Sequence, residues 1–186
     1  MRPCERILIS LPLKTKRLRL RTFLDSDLDC FYGYRSDTEV ARYQGWLPLS
    51  WNEASEFLSE HSHQGFGKSD STFRIAIALR ESDVLIGDLG ICPIASDEVE
   101  LSFSLARTAQ GRGYATEAVQ SVLRALFRKA SIEWVRATTD TRNAKSIALL
   151  ERLEFRRLRT GVELIHCQWC QQHHYALRSR DWATQS

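Results

Sequence analysis

The chain has 186 residues, of which 43% are hydrophobic and 26% charged, and its formal net charge is +3. This balance is typical of a folded globular protein, and so small a charge does not by itself indicate binding to nucleic acid or to a membrane surface. The sequence lacks an apolar run of about 20 residues, so we expect no membrane span. The five cysteines are odd in number and lack the spacing of a disulfide framework. They predict a reducing compartment and a cytoplasmic protein.

The first predicted elements are a strand and a short helix. Basic residues alternate with leucine through the segment 17–23, which is the period of a half-buried strand. Its predicted outward residues are Lys16, Arg19 and Arg21. Asp25 or Ser26 then stands where it can cap a short helix.

A second helix and three strands are predicted next. Ser50 precedes Glu53 by three residues, the spacing of a capping box, and this predicts a helix that ends near His63. Apolar runs and alternation then predict three strands, over 71–79, 84–94 and 99–107, of which the first two form a hairpin.

The second half of the chain changes to a helical period and then returns to strands. Apolar residues recur at helical spacing after Tyr114, which predicts a helix to residue 130, and Asn143 can cap another helix over 144–153. Further strands are predicted over 133–140, 155–164 and 173–182. This order of elements predicts a mixed α/β sheet rather than a repeated strand–helix–strand array. We expect one domain over residues 13–182.

The segment "AQGRGYATEA", residues 109–118, joins a predicted strand to a predicted helix through two glycines. Gly111 and Gly113 let the main chain approach an anion closely, and the amides that begin a helix favour negative charge. Arg112 can add charge-assisted bonds to phosphate oxygens. A plain tight turn explains two glycines equally well. Two other phosphate-binding motifs are excluded, because a dinucleotide fingerprint needs glycine at Thr116 and a Walker-type loop needs a Gly-Lys pair.

A family resemblance begins at this turn. "QGRGYA", residues 110–115, resembles the Gln/Arg-x-x-Gly-x-Gly/Ala signature of the GNAT superfamily of N-acetyltransferases. "TRNAKSIALLERLEF", residues 141–155, is similar to a segment of that family's ribosomal-protein (alanine or serine) N-acetyltransferase branch. The resemblance extends over about residues 13–182. It implies a mixed α/β fold whose mostly antiparallel sheet has about seven strands, helices on both faces and a splayed central pair of strands.

The resemblance implies acetyl-CoA as the co-substrate and no metal. Backbone amides of the glycine turn would bind its pyrophosphate, and they belong to Gln110, Gly111, Arg112, Gly113, Tyr114 and Ala115. The main chain of Phe103, Ser104 and Leu105 would pair with the pantetheine arm as an added strand. Asn143 matches an asparagine that hydrogen-bonds the pantetheine, although capping a helix accounts for it as well.

The resemblance also implies direct transfer of the acetyl group to a primary amine. Glu100 matches a glutamate of this branch and is the first candidate for the base that takes the amine's proton, with Glu98 second. A solvated surface glutamate is the alternative interpretation. Many relatives carry a tyrosine where this chain has Leu150, so Ser146 is the candidate proton donor to the departing thiolate. The family motif has glycine at the position of Glu154, so the turn expected there must form differently.

The segment "HCQWCQQHHY", residues 166–175, has the spacing of zinc ligands or of a dithiol redox pair. The candidate ligands are Cys167, Cys170, His173 and His174. Strand alternation would place the two cysteines on opposite faces, which argues against a metal site. In the family this region borders the acceptor pocket.

The sequence therefore predicts an N-acetyltransferase, active as a monomer or a homodimer. Its expected acceptor is a peptide N-terminus, a polyamine, an aminoglycoside or another small metabolite, and neither nucleic acid nor a membrane is an expected partner. The first alternative is a catalytically weak acyl-CoA sensor, because Leu150 removes the usual proton donor. The second is a small zinc-binding interaction protein, and it depends on the cysteine–histidine segment alone.

Overall fold

An eight-stranded sheet forms the centre of the computed structural model, which describes residues 9–62, 72–129 and 132–182. The strands are β1 (Leu13–Lys14), β2 (Leu18–Arg21), β3 (Phe73–Leu79), β4 (Leu85–Ala95), β5 (Glu98–Leu105), β6 (Trp134–Asp140), β7 (Arg156–Ile165) and β8 (Gln168–Arg178). Their spatial order is β1-β2-β3-β4-β5-β6-β8-β7. All neighbours are antiparallel except β5 and β6, which run parallel. Because β1 has only two residues, the sheet has seven strands of substantial length, in agreement with the implied fold.

Helices cover both faces of this sheet. They are α1 (Leu28–Arg35), α2 (Thr38–Ala41), α3 (Trp51–Ser62), α4 (Tyr114–Lys129), α5 (Ala144–Arg152) and α6 (Ser179–Trp182). The larger core lies between the sheet and the apolar stripes of α4 and α5, and a second, aromatic-rich core lies under α1 to α3. Strands β3 and β4 are therefore buried on both faces, which explains their nearly continuous apolar runs. Within the described ranges, no helix combines the length and the apolar character needed to cross a membrane.

Two predicted helix starts are confirmed by their hydrogen bonds. Ser50 N donates to Glu53 Oε2 at 2.7 Å and Glu53 N donates to Ser50 Oγ at 3.3 Å, which is the capping box that begins α3. Asn143 caps α5, because its Oδ1 accepts from Ser146 N at 3.2 Å. Local spacing was sufficient to place both caps, since each involves residues three apart.

The predicted strand over 173–182 is wrong in its last part. Strand β8 ends at Arg178, and residues 179–182 form α6. Ser179 N donates to Glu133 O at 2.9 Å. The helical turn brings Trp182, only 7% exposed, to 6.3 Å from the ring of Phe127. Burial of a large aromatic ring stabilises the turn, and the alternation of the preceding residues does not reveal it.

The predicted outward position of Arg21 is also wrong. Arg21 is 5% exposed, and its two terminal nitrogens donate to the carboxylate of Asp27 at 2.7 and 2.9 Å. Its Nε donates to Asp83 Oδ1 at 3.1 Å. Two carboxylates compensate the buried guanidinium, and both lie outside the strand whose alternation made the prediction.

The two parallel strands separate soon after they begin, as the resemblance implied. Strands β5 and β6 pair only between Glu98–Glu100 and Trp134–Arg136. Beyond Glu100, residues 101–105 of β5 pair with β4 on their other side. We call the point of separation after Glu100 and Arg136 the fork. It leaves a wedge-shaped opening in the middle of the sheet.

The turn after α5 forms without the glycine that the family motif has there. Glu154 adopts a left-handed conformation with φ 62°. Its N–H donates to Glu151 O at 3.0 Å, and Phe155 N donates to Leu150 O at 3.0 Å. The chain therefore makes the same kind of helix end with a residue that has a Cβ, at a conformational cost that glycine avoids.

We expect Glu154→Gly to stabilise the protein by about 1 kcal/mol, because glycine adopts a positive φ without the clash between Cβ and the following carbonyl. The free energy of unfolding in urea measures the change. Glu56→Gly is the matched control, since Glu56 is exposed within α3, and there glycine should destabilise by about 1 kcal/mol. Destabilisation by both substitutions would contradict the strain assigned to Glu154.

Candidate active site

A cleft of about 650 Å³ opens where β5 and β6 diverge. Its walls come from the end of β5, the glycine turn, the first turns of α4 and α5, and the segment after α2. It is lined by ten of the sequence-predicted site residues, namely Phe103, Ser104, Leu105, Gln110, Gly111, Gly113, Tyr114, Ala115, Asn143 and Ser146. Glu100 and Arg112 lie outside this lining.

The glycine turn forms one end of the cleft. Gly111 and Gly113 have φ values of 75° and 78°, in the left-handed region that favours glycine. Gly113 O accepts from Glu117 N at 3.1 Å, so Gly113 caps the N-terminus of α4, which begins at Tyr114. The first amides of a helix have no partner within it, and they carry the positive end of the helix dipole. This end of the cleft is therefore suited to an anion.

A cluster of side chains from before β2 holds the glycine turn in place. Arg17 Nε donates to Glu117 Oε2 at 2.7 Å, and one of its terminal nitrogens donates to Arg112 O at 2.9 Å. The Arg17 guanidinium also stacks over the ring of Tyr114, 4.6 Å from its centroid. Thr15 Oγ1 donates to Glu117 Oε1 at 2.6 Å. The arginine thus ties both the loop carbonyl and the first turn of α4 to the neighbouring strand.

The contacts of this cluster favour the ionised form of Glu117. Burial alone would raise the pKa of its carboxyl group, but the hydrogen bonds from Thr15 and Arg17 and the nearby positive charge lower that pKa below its ordinary value. The sequence alone did not indicate this contact, because about 100 residues separate Arg17 from Glu117 and no local pattern connects them.

Gln110 and Gln44 connect the walls of the cleft to β5. Gln110 Nε2 donates to Leu105 O at 3.1 Å, and its Oε1 accepts from Lys145 Nζ at 2.9 Å. Gln44 Nε2 lies 3.4 Å from Phe103 O. Gln110 therefore links the end of β5 to the first turn of α5.

The predicted residues of α5 lie at its first turn. Asn143 uses its Oδ1 to cap the helix, and its Nδ2 has no partner among the described residues, so capping and ligand binding are compatible. Ser146 is partly buried and lines the cleft. Its hydroxyl group has no hydrogen-bond partner among the described residues. Leu150 is 0% exposed and packs in the core. The position where many relatives have tyrosine therefore presents no proton donor here.

Glu100 lies at the fork itself, as the last residue of β5 that pairs with β6. Its Oε1 accepts from Thr138 Oγ1 at 2.9 Å, and it is half-buried. Glu98 instead forms a close ion pair with Arg136 on β6. A carboxylate held by a guanidinium is a weaker candidate for a base than one held by a neutral hydroxyl. The two glutamates that the sequence ranks first and second thus have different partners on β6.

Cationic side chains form the rim of the cleft. Arg142 pairs with the buried carboxylate of Asp140 at 2.7 Å. The hydrogen bonds from Arg142 lower the pKa of Asp140, although burial opposes them. The Arg142 guanidinium lies 5.8 Å from the ring centroid of Tyr43, which reaches across from the end of α2. The remaining cationic residues of the lining are Arg42, Arg107, Lys145 and Arg152. The rim favours a polyanionic ligand.

The cysteine–histidine segment does not assemble a metal site in the structure. Cys167 lies exposed in the β7–β8 turn. His173 Nδ1 lies 2.8 Å from Thr160 Oγ1, whereas His174 Nε2 lies 3.0 Å from Glu163 Oε1 on the opposite face. Over the described ranges, no group of three or more histidine, cysteine or carboxylate side chains is arranged to hold a metal ion. The zinc-binding alternative therefore has no support from this geometry.

Comparison of the sequence with known proteins gives matches to a family model and to a relative. Residues 17–156 match the family model described as the acetyltransferase (GNAT) domain. YnaD from Bacillus subtilis (strain 168), described as an uncharacterized N-acetyltransferase, is 25% identical over 173 residues, which cover 91% of this chain and 98% of that protein. The match extends across nearly all of both chains.

Comparison with solved structures gives the same architecture. A GNAT-family acetyltransferase from Bacillus anthracis has a TM-score of 0.83 at 20% identity, with 91% of this chain and 99% of that chain covered. Spermidine N-acetyltransferase from Vibrio cholerae, solved in complex with CoA and spermine, has a TM-score of 0.76 at 19% identity and covers 91% and 99%. At these identities the likeness shows the fold.

Proposed function

The chain belongs to the GNAT acetyltransferase family, and on that premise we propose that it transfers an acetyl group from acetyl-CoA to a primary amine. The observation that carries the proposal is the cleft. It joins the glycine turn, the beginning of α4 and the edge of β5 beyond the fork in one continuous opening. Such an opening suits a ligand with an anionic head and an amide-containing arm.

Different residues of the cleft would bind different parts of this ligand. Amides from Gly111 to Ala115 would bind the pyrophosphate, because the positive φ of both glycines brings bare main chain to the helix start. The Gln110 amide of the predicted set already donates to Arg107 O at 3.2 Å. The main chain of residues 103–105 would pair with the pantetheine arm, and Asn143 Nδ2 would donate to one of its amide carbonyls. The cationic rim would attract the remaining phosphate.

Transfer would proceed at the fork by direct attack. The amine nitrogen attacks the thioester carbonyl carbon, the carbon–sulfur bond breaks, and an amide and a free thiol result. Glu100 takes one proton from the substrate ammonium, directly or through a water molecule. A main-chain N–H of residues 103–105 donates to the carbonyl oxygen as negative charge develops there. The Ser146 hydroxyl relays the second nitrogen proton to the departing sulfur.

Residues 13–182 would form one catalytic domain, active as a monomer or homodimer in the cytoplasm. The described cysteines, Cys30, Cys92, Cys167 and Cys170, are free thiols, which suits a reducing compartment. The acceptor is a peptide N-terminus, as in the ribosomal-protein branch that the sequence resembles, or a small molecule. No metal takes part in the proposed step.

Calorimetric titration with acetyl-CoA, with CoA and NADH as controls, tests the first half of the proposal. We expect binding of both CoA species and none of NADH. Release of free CoA thiol in the presence of a panel of primary amines tests the second half. Binding without transfer to any amine would favour the acyl-CoA sensor, and absence of binding would overturn the proposal.

A further inference from the structure

Three residues of neighbouring strands meet on the face of the sheet that α1 to α3 partly cover. Arg74 on β3 pairs directly with Gly90 on β4, and Gly90 pairs directly with Ser102 on β5. Directly opposed residues of antiparallel strands share one face. The three residues therefore form a line across the sheet, next to the fork and outside the lining of the cleft.

Gly90 allows the other two side chains to converge. A Cβ at Gly90 would lie 2.5 Å from Ser102 Oγ and 3.0 Å from the nearer terminal nitrogen of Arg74. The hydroxyl and the guanidinium are thus both close to one point and no more than 5.5 Å apart. Two donors at this separation can contact the two oxygens of one carboxylate. Any side chain at position 90 would push them apart.

Arg74 has unused charge and unused donors. Its nearest partner is Asp88 Oδ2, at 3.3 Å. Asp88 is already occupied, since it accepts from Arg35 at 2.7 and 2.9 Å and from the Tyr34 hydroxyl at 2.8 Å. One carboxylate thus faces two guanidinium groups, and the cluster keeps a formal charge of +1. Within the described residues the Ser102 hydroxyl has no partner, and the Arg74 side chain is 22% exposed.

The distance between Ser102 and Glu100 suits a small acceptor molecule. Glu100 and Ser102 point to the same face of β5, two residues apart, which is about 6.6 Å along a strand. An anionic group held by Arg74 and Ser102 would therefore lie a few bonds from an amine that contacts Glu100. One short molecule carrying both groups spans this distance.

The carboxylates of the same face are poorly arranged for a polycation. Glu98 is held by Arg136, and Glu163 lies 3.0 Å from His174 Nε2. Glu100 is then the carboxylate of this group without a basic partner among the described residues. A polyamine would meet one available carboxylate and the surplus positive charge of Arg74, which repels it.

From these contacts we infer that the acceptor is a small primary amine that also carries a carboxylate, bound through that carboxylate by Arg74 and Ser102. The inference deepens the proposed function and depends on it. It makes Arg74 and Ser102 residues of acceptor specificity, with no part in acetyl-CoA binding.

Matched acceptors test the inference. The panel consists of the L-amino acids, their carboxamides, which keep size and lose the charge, and spermidine, with CoA thiol release as the readout. We expect at least one acid to exceed its own carboxamide by about tenfold or more in kcat/KM, which is the effect of one charge-assisted pair. Arg74→Gln should remove this preference and leave the Kd for acetyl-CoA unchanged, and Ser102→Ala should weaken it.

Arg124→Gln is the control, because Arg124 is an exposed cation on α4 and should keep the preference. Equal rates for acids and carboxamides, better transfer to spermidine, or a preference that survives Arg74→Gln would each overturn the inference and leave the proposed function standing. Transfer to no amine of the panel, with acetyl-CoA still bound, would overturn the inference, and it would overturn the proposed function as well only if peptides with a free N-terminus also accept no acetyl group.

Discussion

Replacement of Gly113 by valine will raise the Kd for acetyl-CoA by about 100-fold or more and leave the far-UV circular dichroism spectrum unchanged. Gly113 has a φ of 78°, a conformation that a β-branched residue rarely adopts. Its Cβ would lie 3.4 Å from a terminal nitrogen of Arg17, so the further methyl groups of valine would press on the side chain that anchors the turn. The amides that face the pyrophosphate would then move.

Two other glycines serve as controls for this result. Gly33 lies on the exposed side of α1, where an added Cβ meets no atom within 4 Å, so Gly33→Val should leave the Kd unchanged. Gly111 also has a positive φ, but a Cβ there meets open space. Gly111→Ala should therefore weaken binding less than Gly113→Val. Titration calorimetry measures all three, and normal affinity in Gly113→Val would remove the main support for the pyrophosphate site.

Local spacing in the sequence was enough to predict the parts of the site that lie within one segment. The glycine turn, the start of α4 and the Asn143 cap each involve residues within a few positions of one another, and all three are present. Steric and capping preferences act over this range, so a single sequence reveals them.

The parts that join distant segments could not be predicted. Arg17 bonds to Glu117, and the side chains of Arg74 and Ser102 converge over Gly90, only because the fold brings their distant segments together. The different partners of Glu98 and Glu100 also come from a distant segment. Arg136 on β6 forms an ion pair with Glu98, whereas Thr138 on β6 donates a hydrogen bond to Glu100. A pattern within β5 cannot contain that information, because alternation fixes the face of a residue and not its partner on the next strand.

Glu100 is the proposed general base of the transfer step. Glu100→Gln is expected to lower kcat for acetyl transfer by a factor of about 10²–10⁴, the usual contribution of a positioned general base, with the Kd for acetyl-CoA unchanged. The amide keeps the size of the carboxylate and can still bond to Thr138, so the fold and the cleft should persist. Glu98→Gln is the matched control on the same strand. Since Arg136 already holds that carboxylate, we expect it to change kcat by less than about tenfold.

A pH profile distinguishes loss of a base from a structural disturbance at the fork. The reacting nitrogen must lose a proton, and an alkylamine such as that of lysine does so in water only near pH 10. As the pH rises, solvent supplies the free amine without help from position 100. The deficit of Glu100→Gln should therefore narrow with increasing pH, whereas the activity ratio of Glu98→Gln to the wild type should stay flat. A deficit that is constant with pH would mean that Glu100 positions the acceptor and that another group takes the proton.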